Sequence, residues 1–202
     1  MAADPTDPSN GYETLAKNSI WSRSRSSIGA STVREWARTL PQGATVLDLG
    51  CGTGVPISQV LLAEGLRVYG VDASPSMIAA FRSRFPDAPA ECRAVEDSEF
   101  FGRGFDGVVA WGLMFLLALD VQESLIAKVS RTLKPGGKFM FTSPNQRGEG
   151  PDILTGRQTR SPGAGEYRRL LAANGLIVQN EAEDEGDNHY YFAVKGGKAG
   201  RR

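Results

Sequence analysis

Apolar and polar positions follow two periods along this chain. Short runs of consecutive apolar residues alternate with longer stretches in which apolar residues recur every three to four positions. The first is the pattern of strands covered on both sheet faces, the second that of helices packed on a sheet, and their regular alternation predicts βαβ units around a mostly parallel sheet. Val33, Trp36, Ala37 and Leu40 predict a first helix closed by Pro41, and a strand follows at 45–48. Ile57, Val60 and Leu61 mark a helix ending at Gly65, ahead of a strand at 67–71. Ser74 and Pro75 read as N-cap and first residue of a further helix, with Met77 and Phe81 on its inner face.

The second half continues in the same way. Strands are expected at 91–95 and 105–110, and a helix from about 120 carries Val121, Leu125, Val129 and Leu133 on one stripe before Lys134-Pro135-Gly136-Gly137 stops it. A strand at 138–142 follows. Tyr167, Leu170 and Leu171 mark a last helix capped at Asn174-Gly175, and a closing strand pair is expected at 176–178 and 190–194. The Pro-, Asp- and Ser-rich residues 1–10 and the Gly-rich basic residues 196–202 read as disordered, which leaves one domain over 11–195 with a helical lid at about 11–40.

Charge changes the picture by exclusion. Lys plus Arg and Asp plus Glu number 23 each, so the chain lacks the basic excess expected of a nucleic-acid or anionic-membrane binder. No apolar run reaches the roughly 20 residues a membrane helix needs. The start at Met1-Ala2-Ala3-Asp4-Pro5 has neither basic nor apolar signal character, so a cytoplasmic location is expected. Cys51 and Cys92 are the two cysteines and His189 the one histidine, a set without metal-ligand spacing, so no metal site is expected.

The chemistry concentrates at Asp48-Leu49-Gly50-Cys51-Gly52-Thr53-Gly54, where a strand runs into a glycine-rich turn that opens a helix. Such a turn lets backbone N–H groups approach a ligand closely. The spacing is Gly-x-Gly-x-Gly with Val55 where a dinucleotide fold would place its third glycine, and no lysine follows as a P-loop requires. Asp48 beside the turn suits an ammonium group better than a pyrophosphate, and Asp72 at the next strand's end suits the two hydroxyls of a ribose. S-adenosylmethionine carries both groups.

The segment Val46-Leu47-Asp48-Leu49-Gly50-Cys51-Gly52-Thr53-Gly54, followed by Val71-Asp72-Ala73-Ser74-Pro75-Ser76-Met77, resembles motifs I and II of class I S-adenosylmethionine-dependent methyltransferases of the small-molecule type. Leu133-Lys134-Pro135-Gly136-Gly137-Lys138 resembles the turn before their fifth strand. The resemblance spans about residues 40–195 and implies an α/β, Rossmann-like, doubly wound sheet of seven strands with the last antiparallel. It also implies S-adenosyl-L-methionine as cofactor, held by Asp48, Gly50, Cys51, Gly52, Gly54, Asp72, Ala73, Met77, Val95, Glu96 and Trp111. After the third strand the sequence departs from the commonest pattern, with Ala94 ahead of Glu96-Asp97.

A sulfonium methyl is transferred by in-line displacement, so the protein mainly aligns the acceptor and excludes water. The Asn-Pro-Pro-Tyr type motif of enzymes acting on planar amino groups is replaced here by Ala110-Trp111-Gly112-Leu113. A small-molecule acceptor with an oxygen or nitrogen nucleophile is therefore expected, with Tyr12, Trp21, Phe115, Asn145 and Tyr190 as candidate contacts. His189 is the candidate base, because an imidazole titrates near neutral pH. A core role for Phe115, and for His189 a hydrogen bond at a strand end, compete with these assignments. A non-catalytic S-adenosylmethionine-binding protein is the alternative function.

Overall fold

A computed structural model describes residues 7–17 and 27–197; Trp21 lies outside the described residues. In chain order the elements are α1 (Tyr12–Lys17), α2 (Ala30–Arg38), β1 (Thr45–Leu49), α3 (Ile57–Ala63), β2 (Arg67–Asp72), α4 (Pro75–Arg84), β3 (Ala90–Cys92) and β4 (Phe105–Ala110). They continue with α5 (Leu119–Thr132), β5 (Leu133–Thr142), β6 (Arg147–Pro151), β7 (Gln158–Pro162), α6 (Ala164–Ala173), β8 (Leu176–Glu183) and β9 (His189–Lys195). Seven strands form one sheet in the order β3-β2-β1-β4-β5-β9-β8. The first five pair in parallel, and β9 runs antiparallel to both β5 and β8. The mostly parallel sheet is the one the periodicity predicts, and its seven-stranded Rossmann-like form is the one the resemblance implies.

Both faces are covered, which is why the central strands read as unbroken apolar runs. Val46, Val68, Val109, Met140 and Tyr190 pack with α2, α3 and α4, whereas Leu47, Val108, Phe139, Phe141 and Tyr191 pack with α5 and α6. Alternate residues of one strand thus enter opposite cores. On the α5–α6 side Phe141 stacks on Phe139 at 4.9 Å and on Tyr191 at 4.7 Å between ring centroids. Each such buried side chain contributes about 1.5–3 kcal/mol by removal from water.

Several boundaries differ from the sequence expectation. β3 ends at Cys92 because the Arg93 amide still reaches the Asp72 carbonyl while the chain then turns, with Asp97 N–H on the Ala94 carbonyl. β8 runs on through Glu181 and Glu183, so the start of the acidic linker is strand; at this edge strand Glu181 is paired with Arg168 and His189, and Glu183 is exposed. The hairpin β6–β7 lies in a polar, glycine- and proline-containing stretch without alternation, and backbone pairing alone defines it. Residues 7–10 are turns and not disordered chain, since the Asp7 carboxylate accepts from Ser9 N (2.9 Å), Ser9 Oγ (2.6 Å) and Gly11 N (3.0 Å). Asp and Ser favour both disorder and this kind of side-chain-closed turn.

Candidate functional site

Strand order reverses at β1, which lies between β2 and β4, and the site forms where their carboxyl ends diverge. The glycine loop is stitched to β2 by Gly50 N–H and Cys51 N–H on the Val71 carbonyl, at 2.8 and 3.1 Å. Gly50, Gly52 and Gly54 all have positive φ (69°, 54° and 81°). Their surroundings differ. A Cβ on Gly54 would meet the Phe81 ring at 2.9 Å and collide with Phe85, whereas one on Gly52 would meet nothing within 4 Å. Gly54 is therefore required by packing against α4, and Gly52 faces open space in the cleft.

Two carboxylates flank the loop, Asp48 buried and Asp72 half-buried. Asp48 accepts from Ser58 Oγ at 2.6 Å, and Asp72 accepts from the amides of Gly52 and Ser74 at 2.8 Å each. Burial pushes the Asp48 carboxyl up to about 7, with the Ser58 bond opposing and the Asp72 charge adding to the rise. Burial also raises Asp72, against the pull of the two amides. The Cys51 thiol is pushed well up by burial and then by both carboxylates, so it is an inert packing group; its sulfur lies over Gly70.

Around these residues lies an open cleft at the strand ends. Asp48, Gly50, Cys51, Gly52, Asp72, Ala73, Met77, Val95, Glu96 and Trp111 all line it, as does Tyr12. Gly54 does not. Pro8, Ser9, Asn10, Thr53, Leu113, Leu116 and Leu117 also line it and were not singled out from the sequence. Thr53 sits inside the glycine motif and was legible there, but nothing local marks Asn10. The cleft fits an adenosyl amino acid: apolar walls from Met77, Val95 and Leu113, carboxylates at two strand ends, and two buried polar atoms, Asn10 Nδ2 and Thr53 Oγ1, without protein partners.

A second open cleft brings together Phe115, Asn145 and His189 with Thr142, Ser143, Glu183, Asp187 and Asn188. It adjoins the first through a hydrogen bond from Gly112 N–H to Thr142 Oγ1 at 2.8 Å. His189 Nε2 lies 3.0 Å from Glu181, its Nδ1 3.4 Å from Glu183, and its ring packs edge-on against Tyr191. Glu181 is itself held by Arg168 at 2.6 and 2.9 Å.

Tyr190 is placed differently from the expectation that it would face an acceptor pocket beside His189. Consecutive strand residues point to opposite sheet faces, so with His189 on the α6 side Tyr190 enters the other core. Its hydroxyl accepts from Trp111 Nε1 at 2.7 Å and donates to Asp184 at 2.6 Å. It buttresses the cofactor cleft from behind.

Comparison with known proteins agrees with this geometry. Residues 46–137, from β1 to the turn inside β5, match the methyltransferase domain family. A cypemycin N-terminal methyltransferase from a Streptomyces species is 37% identical over 137 residues, covering 65% of this chain and 55% of that protein. The chain spans about half the length of the curated relatives it matches. Among solved structures, the CcbJ methyltransferase of Streptomyces caelestis superposes with a TM-score of 0.73 at 16% identity, over 96% of this chain and all (100%) of that one. A 1,6-didemethyltoxoflavin-N1-methyltransferase of Burkholderia thailandensis, solved with its acceptor and S-adenosylhomocysteine, gives 0.71 at 20% identity over 97% and 93% of the two chains. The two motifs on β1 and β2, the seven-stranded sheet and the domain match thus agree on a methyltransferase domain of the class I S-adenosylmethionine-dependent type.

Proposed function

We propose that this chain transfers a methyl group from S-adenosylmethionine to a nitrogen of a small molecule. The observation that carries the reading is the cleft at the β1 switch point, where the glycine loop lies between the carboxylates of Asp48 and Asp72. In this reading Asp48 and the loop hold the amino-acid end of the cofactor, Asp72 the ribose hydroxyls, and Met77 and Val95 the faces of the adenine. When bound, the cofactor supplies an electrophilic methyl on a sulfonium.

The adjoining cleft receives the acceptor. Phe115 offers it an apolar face, Asn145 an amide, and Glu183 and Asp187 carboxylates that suit an amine over an anion. His189 takes the proton that an ammonium acceptor must lose before its lone pair attacks, and Glu181 orients the imidazole. Nitrogen is favoured over oxygen by those carboxylates. Alignment of this kind accounts for about 7–11 kcal/mol of barrier in well-oriented systems without any nucleophilic residue on the protein.

The test is turnover. Incubation with S-adenosylmethionine and a pool of small amines is expected to yield S-adenosylhomocysteine and one product gaining a single methyl on nitrogen. Cofactor binding without turnover over a broad amine and alcohol panel would instead support a non-catalytic binding protein.

A further inference from the structure

Residues 7–17 are tied over the cofactor cleft at two ends. At one, Asp7 closes a turn on Ser9 and Gly11 and meets Arg157 of β6–β7 at 3.3 Å. At the other, Glu13 of α1 accepts from Ser74 Oγ (2.6 Å), Ser76 N (3.0 Å) and Ser76 Oγ (2.8 Å), so its carboxylate sits on the first turn of α4. Ser74 N–H in turn donates to Asp72 at 2.8 Å, which places this anchor one hydrogen bond from the proposed ribose carboxylate. Lys17 adds an ion pair to Glu13 at 3.0 Å.

Between the anchors stands Asn10. Its φ is +51°, a left-handed conformation that asparagine tolerates better than most residues, and it turns the side chain to the cleft wall. Its Nδ2 is buried and has no acceptor in the protein. Buried amide donors are almost always paired. Thr53 Oγ1, on the same wall within the glycine loop, is in the same position.

Resting on the cofactor reading above, we propose that Asn10 is a cofactor-binding residue, donating from its carboxamide to an acceptor atom of bound S-adenosylmethionine. Residues 7–17 thereby form a latch that Glu13 holds down on α4 and that must lift for the cofactor to exchange. The Glu13 anchor persists across the working pH range. Its partial burial pulls the carboxyl up, but the bonds from Ser74, Ser76 and Lys17 outweigh this and hold it at about 2.

The experiment uses the full chain and S-adenosylhomocysteine. Dissociation constants and displacement rates are measured for the parent, Asn10→Gly, which keeps the left-handed backbone while deleting the amide, and Glu13→Ala. Hydrogen exchange of residues 7–17 is followed with and without the ligand. Asn10→Gly is expected to bind about tenfold more weakly, Glu13→Ala to release the ligand about tenfold faster, and the parent to gain exchange protection across 7–17 on binding. Parental affinity in Asn10→Gly, or ligand binding that leaves exchange at 7–17 unchanged, overturns the latch while the cofactor reading stands. If a variant melts below the assay temperature, the parent's exchange result decides. Failure of the parent to bind the ligand at all overturns both readings.

Discussion

Trp111 Nε1 donates to the Tyr190 hydroxyl at 2.7 Å, so an antiparallel strand beyond β5 fixes one wall of the cofactor cleft. The same hydroxyl donates to Asp184 at 2.6 Å, and burial followed by that carboxylate keeps the phenol protonated at any ordinary pH. Gly29 fills the space beside the pair, where a Cβ would lie 2.7 Å from both polar atoms. Tyr190→Phe removes an acceptor for the indole and a donor for Asp184. It is expected to lower unfolding free energy by about 1–3 kcal/mol and to weaken S-adenosylhomocysteine binding, with Trp emission altered. Urea unfolding and calorimetry on the variant check this; unchanged values in both would show that the pair does not support the cleft.

The loop glycines separate packing from ligand access. Gly54→Ala drives a Cβ into Phe81 and Phe85 at a positive φ and is expected to cost about 3 kcal/mol or more of stability. Gly52→Ala meets no protein atom, so its stability cost is about 1 kcal/mol from the backbone alone, while its methyl projects into the cleft. Melting curves and ligand titrations on the two should therefore rank them in opposite orders. The same ranking in both assays would mean that Gly52 does not face the ligand.

Asp48 gives the site a pH dependence. Its carboxyl stands near 7 in the fold against an ordinary 3.8, so between those values the folded protein holds a proton that the unfolded chain has lost. Stability from this group is fully present below about pH 4 and is lost as pH rises through about 7. Asp48→Asn is thus expected to stabilise the ligand-free protein more at pH 8 than at pH 5. In the parent, an ammonium-bearing ligand draws Asp48 into its charged form, so affinity for S-adenosylhomocysteine should rise from pH 6 to pH 8, with about half a proton released on binding at pH 7. Calorimetry in buffers of different ionisation enthalpy measures that proton. An affinity flat across this range in the parent would remove Asp48 from the ammonium contact.

The sheet and the first cleft were largely legible because they depend on local order: apolar runs, the Asp48-to-Gly54 turn and Asp72 lie within continuous segments whose period or spacing carries the signal. What escaped depends on contacts between distant segments. Asn10 and Glu13 reach the cleft and α4 across about sixty residues of chain, and the turn that holds them has the composition of a disordered end. Gly54 belongs to the glycine motif but answers to Phe81 and Phe85, which only the packing of α4 reveals. Tyr190 shows the limit of a strand-end argument: position along β9 placed it near the cleft, but pleat parity decided the face. The hairpin β6–β7 has no apolar stripe to betray it.

Whether the cleft between Asp48 and Asp72 binds S-adenosylmethionine is decided by calorimetric titration with S-adenosylhomocysteine, with NADH as control. The parent is expected to bind S-adenosylhomocysteine at one site and not NADH, and Asp72→Ala to lose about 1–3 kcal/mol of that affinity while Glu96→Ala loses less. No heat with S-adenosylhomocysteine and saturable binding of NADH would contradict the account.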